Sequence, residues 1–239
     1  MKLALAKEAL AASAAGHPAA LVTNLKSGLQ TLVQPSGNKG DLRTEDPALK
    51  AAIGEAMRDD RSGTFQTADG PVFIEVFVPA LRCFIVGAVH IAQPFAQMAA
   101  MAGYAVTIID PRSAFASDAR FPGVTLSTEW PDEAFAHIQP DRRSAIVTLT
   151  HDPKIDDPAL TAALRSDAFY IGALGSKKTH AARLKRLGEA GFGETELRRI
   201  HGPVGLDIGA LSPAEIAVSI LAQITQVLRA DRVKERQAA

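Results

Sequence analysis

Sulfur chemistry has little to work with in this sequence. The 239 residues hold one cysteine, Cys83, which excludes an intramolecular disulfide and a zinc site built on cysteines. It heads the apolar run "CFIVG" and reads as a buried structural thiol. An excess of charge is missing too, since 26 basic side chains cancel 26 acidic ones. That leaves no electrostatic footprint for nucleic acid or an anionic membrane. No uninterrupted apolar segment approaches the ~20 residues that span a bilayer. The opening "MKLALAKEALAASAAG" has the outline of a signal peptide, but Lys7 and Glu8 break its apolar stretch. An amphipathic Ala-rich helix fits it better. A cytoplasmic protein with no membrane span and no nucleic-acid partner is the expectation. What is present is ordinary globular composition, 47% hydrophobic, ample for a core. A neutral cleft can still bind a nucleotide, because backbone N–H groups and helix N-termini supply the local field.

The chain changes texture near 79–82. Up to about residue 80, a helix precedes the strand pair "PAALVTNL" and "GLQTLVQP". A helix over 47–59 follows, then the strands "GTFQT" and "VFIEVFVP". In the last of these, Val72, Ile74, Val76 and Val78 alternate onto one face, as in a half-buried strand. "PSGNKGDLRTED" has the composition of an exposed loop. From residue 81 onward strands and helices alternate. The strands are "CFIVG", "YAVTIID", "GVTL", "SAIVTLTH" and "AFYIG", with helices over 91–102, from Pro131, over 156–165 and over 177–190. That rhythm predicts βαβ units and a parallel sheet. In the final helix, Ser212, Pro213 and Glu215 form a capping box ahead of the stripe Ile216, Ile220, Ile224 and Val227. The fold class expected is α/β, a Rossmann-like parallel-sheet domain (81–239) preceded by a small α+β domain (1–80).

In such a sheet ligands bind beyond the carboxyl ends of the strands, which turns scattered polar residues into a candidate site. "FIVGAVHIA" follows the dinucleotide fingerprint G-x-G-x-x-G/A with Gly87, Ala88, His90 and Ala92 in place, but Val89 replaces the middle glycine. A β-branched side chain there should obstruct a pyrophosphate, so the stretch fits either a nucleotide seat or a plain turn of the fold. Asp110 lies about 20 residues on, where an acid holds a ribose 2′-OH, and Arg112 could instead meet a 2′-phosphate. "YIGALGSKK" offers Gly172 and Gly175 in a strand-to-helix turn, Ser176 as cap, and Lys177 and Lys178 in the first helical turn. Cations there oppose the helix dipole, and a bound anion would remove the conflict. The alternative is two lysines extended into solvent, at a cost of a few tenths of a kcal/mol. Arg183, Lys185 and Arg186 further along read as a solvated face. "THDPKID" places Thr150, His151, Asp152 and Asp156 after the fourth strand, as proton shuttles, ligand contacts or metal ligands. They fit equally a turn and a cap, with Asp156 at the helix start. "RIHGPVGLDIGA" forms a shaped glycine-rich loop carrying His201 and Asp207. The catalytic candidates are thus His90, His151, Asp152, His201 and Asp207.

Five segments together, "FIVGAVHIA", "VTIIDPR", "THD", "YIGALGSKKTHAARLKRL" and "IHGPVGLDIGALSPAEIAVSI", resemble the XdhC/CoxI family, over roughly 84–228. These are accessory proteins that mature molybdenum hydroxylases such as xanthine dehydrogenase and aerobic carbon monoxide dehydrogenase. The resemblance implies a Rossmann domain and binding of molybdenum cofactor (molybdopterin cytosine dinucleotide), NAD(P) or an adenine nucleotide. It also implies delivery of the cofactor to an apo molybdenum hydroxylase, a sulfur donor protein as second partner, and a homodimer. Two departures stand out. The family's G-x-G-H-x-A turn keeps His90 but loses its second glycine to Val89. The N-terminal glycine-rich stretch ending in Cys and Glu has no counterpart in "PSGNKGDLRTEDPAL". Two other functions fit the residues alone: an NAD(P)-dependent oxidoreductase, or a non-catalytic nucleotide sensor whose N-terminal unit docks a partner.

Overall fold

A computed structural model describes residues 3–230, and the chain divides into two compact units, Met1–Ala80 and Leu81–Ala239. The first unit contains α1 (Leu3–Ala14), β1 (Ala19–Asn24), β2 (Gln30–Gln34) and β3 (Gly37–Gly40). It continues with α2 (Pro47–Arg58), β4 (Gly63–Thr67) and β5 (Gly70–Phe77). The strands form one antiparallel sheet in the order β3-β2-β1-β5-β4. Alternation along β1 sends Ala19 and Leu21 toward Leu5 and Ala9 of α1. Ala20 and Val22 pack with Leu49 and Ile53 of α2, so both sheet faces are covered.

Two expectations are corrected here. The α1 helix is not amphipathic, because Leu3 and Leu10 are exposed while Leu5, Ala6 and Ala9 are buried; alanine propensity sustains it without one clean apolar stripe. Part of the expected loop "PSGNKGDLRTED" is β3, paired with β2. It has no apolar alternation to announce it. The pairing depends on Gly40, where any Cβ would collide with the backbone of Gln30 and Thr31.

The second unit contains β6 (Arg82–Val86), α3 (Ala92–Met101), β7 (Ala105–Ile109), β8 (Thr125–Ser127), α4 (Pro131–Ile138) and β9 (Ser144–Thr148). After these come α5 (Pro153–Leu164), β10 (Tyr170–Ala173), α6 (Lys177–Glu189), α7 (Glu194–Leu197), β11 (Ile200–His201) and α8 (Pro213–Leu228). Six strands in the order β11-β10-β9-β6-β7-β8 pair in parallel throughout. The protein is therefore α/β with a Rossmann-like parallel sheet. Cys83 and Ile85 face a layer that includes Phe95 of α3 and Ile220 and Ile224 of α8. Phe84 and Val86 face the opposite layer, with Phe135 of α4, Leu160 of α5 and Leu187 of α6. Burial on both faces explains why the strand sequences are apolar runs rather than alternating ones. The expected capping box is formed: Ser212 Oγ accepts from Glu215 N, and Glu215 Oε2 accepts from Ser212 N. Ile220 and Ile224 form the buried centre of the stripe, with Ile216 and Val227 partly buried at its ends.

The helix expected over 156–165 begins instead at Pro153, with Asp152 as its cap accepting from Lys154 N. Helix α7 and strand β11 had no periodic signal, being four and two residues long. Among the described residues no helix is long and apolar enough to cross a membrane.

Cys83 is 1% exposed, and burial pushes its thiol up to about 12. It should therefore resist iodoacetamide in native buffer and react fully in denaturant. Mass spectrometry of both samples checks this; stoichiometric labelling of the native protein near neutral pH would contradict it.

Candidate functional site

The chain leaves β6 toward β7 and β8 on one side and returns to β9, β10 and β11 on the other. The switch between β6 and β9 brings the turns after β6, β7, β9, β10 and β11 to one carboxyl edge, where such sheets bind ligands. A continuous series of contacts ties these turns together.

The turn after β6 closes on the turn after β7. Gly87 N–H donates to Ile109 O at 2.8 Å, and Ala88 N–H donates to Asp110 Oδ2 at 2.7 Å. Asp110 is 0% exposed. Its Oδ1 accepts from Arg112 N (3.0 Å) and Nε (2.9 Å), and its Oδ2 also accepts from Arg112 Nη2 (2.8 Å). Burial alone would raise the Asp110 carboxyl, but the bonds from Arg112 and Ala88 outweigh it and hold the group below its ordinary value. The Arg112 guanidinium also lies 4.8 Å from the Phe115 ring centroid. Asp110 is thus not presented to a ribose, and Arg112 is spent on it. Val89 is partly buried and packs against the α3/α8 core cluster, and the chain's own Asp110 carboxylate stands in the turn beside it.

The turn after β6 also abuts the turn after β9. Gly87 sits at φ +108, and a Cβ there would lie 2.5 Å from Thr150 Cγ2. Beneath this contact is Asp156, 1% exposed. Its Oδ1 accepts from Thr150 Oγ1 (2.7 Å) and Thr150 N (3.3 Å), and its Oδ2 accepts from His151 N (3.1 Å). His151 is thereby held at φ +61, a left-handed conformation uncommon outside glycine. Burial raises the Asp156 carboxyl above its usual range despite these bonds. Asp156 is therefore not the α5 cap but the carboxylate that shapes the turn.

Asp156 reaches the turn after β10 through Arg183, whose Nη2 lies 3.6 Å from Asp156 Oδ2 and donates to Leu174 O at 2.8 Å. Arg183 is 2% exposed, which corrects its reading as a solvated residue. Arg186 pairs with Asp157 at 2.6 and 2.9 Å, while Lys185 is exposed as expected. Ser176 Oγ caps α6 by accepting from Thr179 N at 3.1 Å, and Lys177 and Lys178 are exposed in the first turn. Gly172 is buried within β10: a Cβ there would meet Val204 Cγ2 at 2.6 Å, and Val204 N–H donates to Ala173 O at 3.1 Å, so the end of β10 packs against the turn after β11. His201 stacks on Tyr170 with centroids 4.8 Å apart. Tyr170 Oη donates to Gln223 Oε1 (2.6 Å), which also accepts from Gly205 N (2.9 Å). Burial lowers His201 below its ordinary value.

The edge therefore presents His90, His151, Asp152, Ser176, Lys177, Lys178 and Asp207 as exposed groups, while Gly87, Ala88, Asp110 and Gly172 form its frame. Among the described residues, no three His, Cys, Asp or Glu side chains gather in a group able to hold a metal ion. Sequence reasoning did not single out Tyr170 and Gln223, offered Asp156 only as a ligand group or helix cap, and read Arg183 as solvated. Two of these carried a signal. Asp156 lies on the stripe Asp156, Ala159, Leu160 and Ala163, and Arg183 is four residues before Leu187, so both fall on buried helix faces.

The model of the XdhC Rossmann domain matches residues 83–224. The chain belongs to the XdhC family. Among curated relatives, the molybdenum cofactor insertion chaperone PaoD of Escherichia coli (strain K12) is 35% identical over 151 residues, covering 63% of this chain and 41% of PaoD. A probable xanthine dehydrogenase subunit of Bacillus subtilis (strain 168) is 35% identical over 156 residues, 65% of this chain and 45% of that protein. The chain thus spans less than half the length of these relatives. A crystal structure described as a xanthine dehydrogenase from Bacillus halodurans aligns with TM-score 0.75 at 22% identity, over 96% of this chain and 68% of its own. At that identity the likeness speaks for the fold alone.

Proposed function

We propose that this XdhC-family protein is a maturation factor for a molybdenum hydroxylase. It holds molybdenum cofactor, as the cytosine dinucleotide or a related nucleotide, at the carboxyl edge of the parallel sheet and passes it to the apo-enzyme. The observation that carries this reading is the series of contacts joining all five strand-end turns inside the family's matched region. Such an edge offers backbone N–H groups, exposed lysines and histidines to an anionic, polar cargo. Names among the relatives agree with it, since PaoD is a cofactor insertion chaperone. On this reading His90, His151 and Asp207 contact the cargo, Arg183 and Asp156 position the turns, and 1–80 and 81–239 act as separate domains with the first docking the client. A sulfur donor protein, a homodimer and a cytoplasmic setting belong to the same proposal. Hydride transfer finds no support in a fingerprint turn whose acid is buried against Ala88.

The test is co-expression of a molybdenum hydroxylase with and without this chain. Client molybdenum content and activity should fall in its absence, and mass spectrometry should find a pterin or nucleotide co-purifying with the chain. A client fully loaded without it, together with no such small molecule, would sink the proposal.

A further inference from the structure

Phosphates in dinucleotide-binding sheets ordinarily meet the first strand-to-helix turn. Here the first two donors of that turn are taken by the chain itself: Gly87 N–H by Ile109 O and Ala88 N–H by the Asp110 carboxylate. An internal anion already occupies the place a phosphate would seek.

The start of α6 has the opposite character. Its first turn contains no acid and two lysines. Ser176 accounts for two backbone donors, taking Thr179 N on its Oγ and His180 N on its carbonyl. The N–H groups of Lys177 and Lys178 lie ahead of these, where a helix offers no internal acceptor. Gly175 leads into them at φ +144, a conformation that favours glycine, with the Thr179 side chain 3.2 Å from where a Cβ would stand. A second, independent feature lies beneath. Arg183 reaches back from the helix to the underside of this turn, its Nη2 bonded to Leu174 O and 3.8 Å from where a Cβ on Gly175 would stand. Its Nε and Nη1 are buried without an acceptor. The nearest carboxylate, Asp156, stands 3.6 Å from Nη2 and already accepts from Thr150 and His151. A buried guanidinium so incompletely matched leaves positive potential at the turn.

We infer that the turn at 175–178 is the phosphate seat for a diphosphate-bearing nucleotide, with Arg183 as its buried anchor, and that Asp110 bars phosphate from the first turn. This rests on the carboxyl edge being the cargo site. Two lysines, free N–H groups and the helix dipole face the ligand from one side, and the guanidinium completes the field from below.

The ligand probe is inorganic pyrophosphate, titrated into the full 15N-labelled chain. Saturable shifts are expected at the amides of Gly175, Ser176, Lys177 and Lys178. The double change Lys177→Glu with Lys178→Glu, both exposed, should leave the spectrum folded and weaken binding about tenfold or more. Arg183→Lys keeps the charge but loses the planar fork, and should weaken binding several-fold in a protein whose circular dichroism is unchanged. Shifts confined to residues 87–90, no saturable shift, or unchanged affinity in the lysine double variant would overturn the seat; wild-type affinity in Arg183→Lys would overturn the anchor. Because the readout involves no client enzyme, loss of the seat with maturation intact removes this inference only. The reverse result removes the maturation role and leaves the seat.

Discussion

Replacing Asp156 with alanine is expected to cost about 3–5 kcal/mol, the usual penalty for stranding one partner of a buried ion pair. The Arg183 guanidinium is already short of acceptors, with Nε and Nη1 unbonded. Removing the carboxylate 3.6 Å from its Nη2 leaves a buried cation with only the weaker attraction of Asp157, which is already paired with Arg186. The same change strips the N–H groups of Thr150 and His151 of their acceptor and leaves the Thr150 hydroxyl only its contacts with the Asp152 backbone, so both N–H groups must find water or remain unsatisfied. His151 then loses the acceptor that its N–H meets at the left-handed φ, so the turn after β9 should loosen even where the domain stays folded. Urea unfolding of the two proteins measures the loss. The neighbouring Asp157→Ala supplies the scale: its bond with Arg186 is bidentate but partly exposed on both sides, and solvent screening should keep its loss near or below about 1 kcal/mol. If Asp156→Ala loses no more than Asp157→Ala, the central role given to Asp156 is wrong.

Gly87→Ala should lose about 2–6 kcal/mol by two separable routes. At φ +108 an L side chain is strained wherever it points, which costs roughly 1–3 kcal/mol. Its methyl would also press on Thr150 Cγ2 at 2.5 Å and on Thr150 N at 3.3 Å, and overpacking adds about 1–3 kcal/mol. The second route can be relieved. Thr150→Ser removes Cγ2 but keeps the hydroxyl that bonds Asp156, so it should recover part of the loss in the Gly87→Ala background. The double-mutant cycle measures that coupling. Additive losses would mean that the two turns do not touch as described. Because the two turns frame the proposed cargo edge, the same variant should weaken cofactor retention more than its stability loss alone explains.

Much of this architecture was legible because its signals are local. Strand and helix periods, Ser212 ahead of Glu215, and glycines after strands are set by residues within a turn or two of each other. The misreadings share one cause. Asp110 could be recognised as the acid after a second strand, yet nothing local said that its oxygens would turn inward to Ala88, 22 residues away. Nor did anything local say that Val89 would pack against the α3/α8 layer, since that depends on where α8 docks. Arg183 read as solvated because charge dominates the composition around it. Only its buried face, and the Asp156 carboxylate on another helix, make it part of the interior.

The sequence by itself determined the α/β class, the parallel sheet, the family and the turns that meet at the sheet's carboxyl edge, since each follows from periodicity or from contiguous motifs. Tertiary structure alone decided which polar groups at that edge face outward and which are spent holding it together. Glycine-bearing turns leave N–H groups able to bind a phosphate or a carboxylate alike. Whether a carboxylate of the chain arrives first depends on the packing of strands far apart in sequence. At the turn after β6 it does, through Asp110. At the start of α6 the first turn holds lysines and no acid.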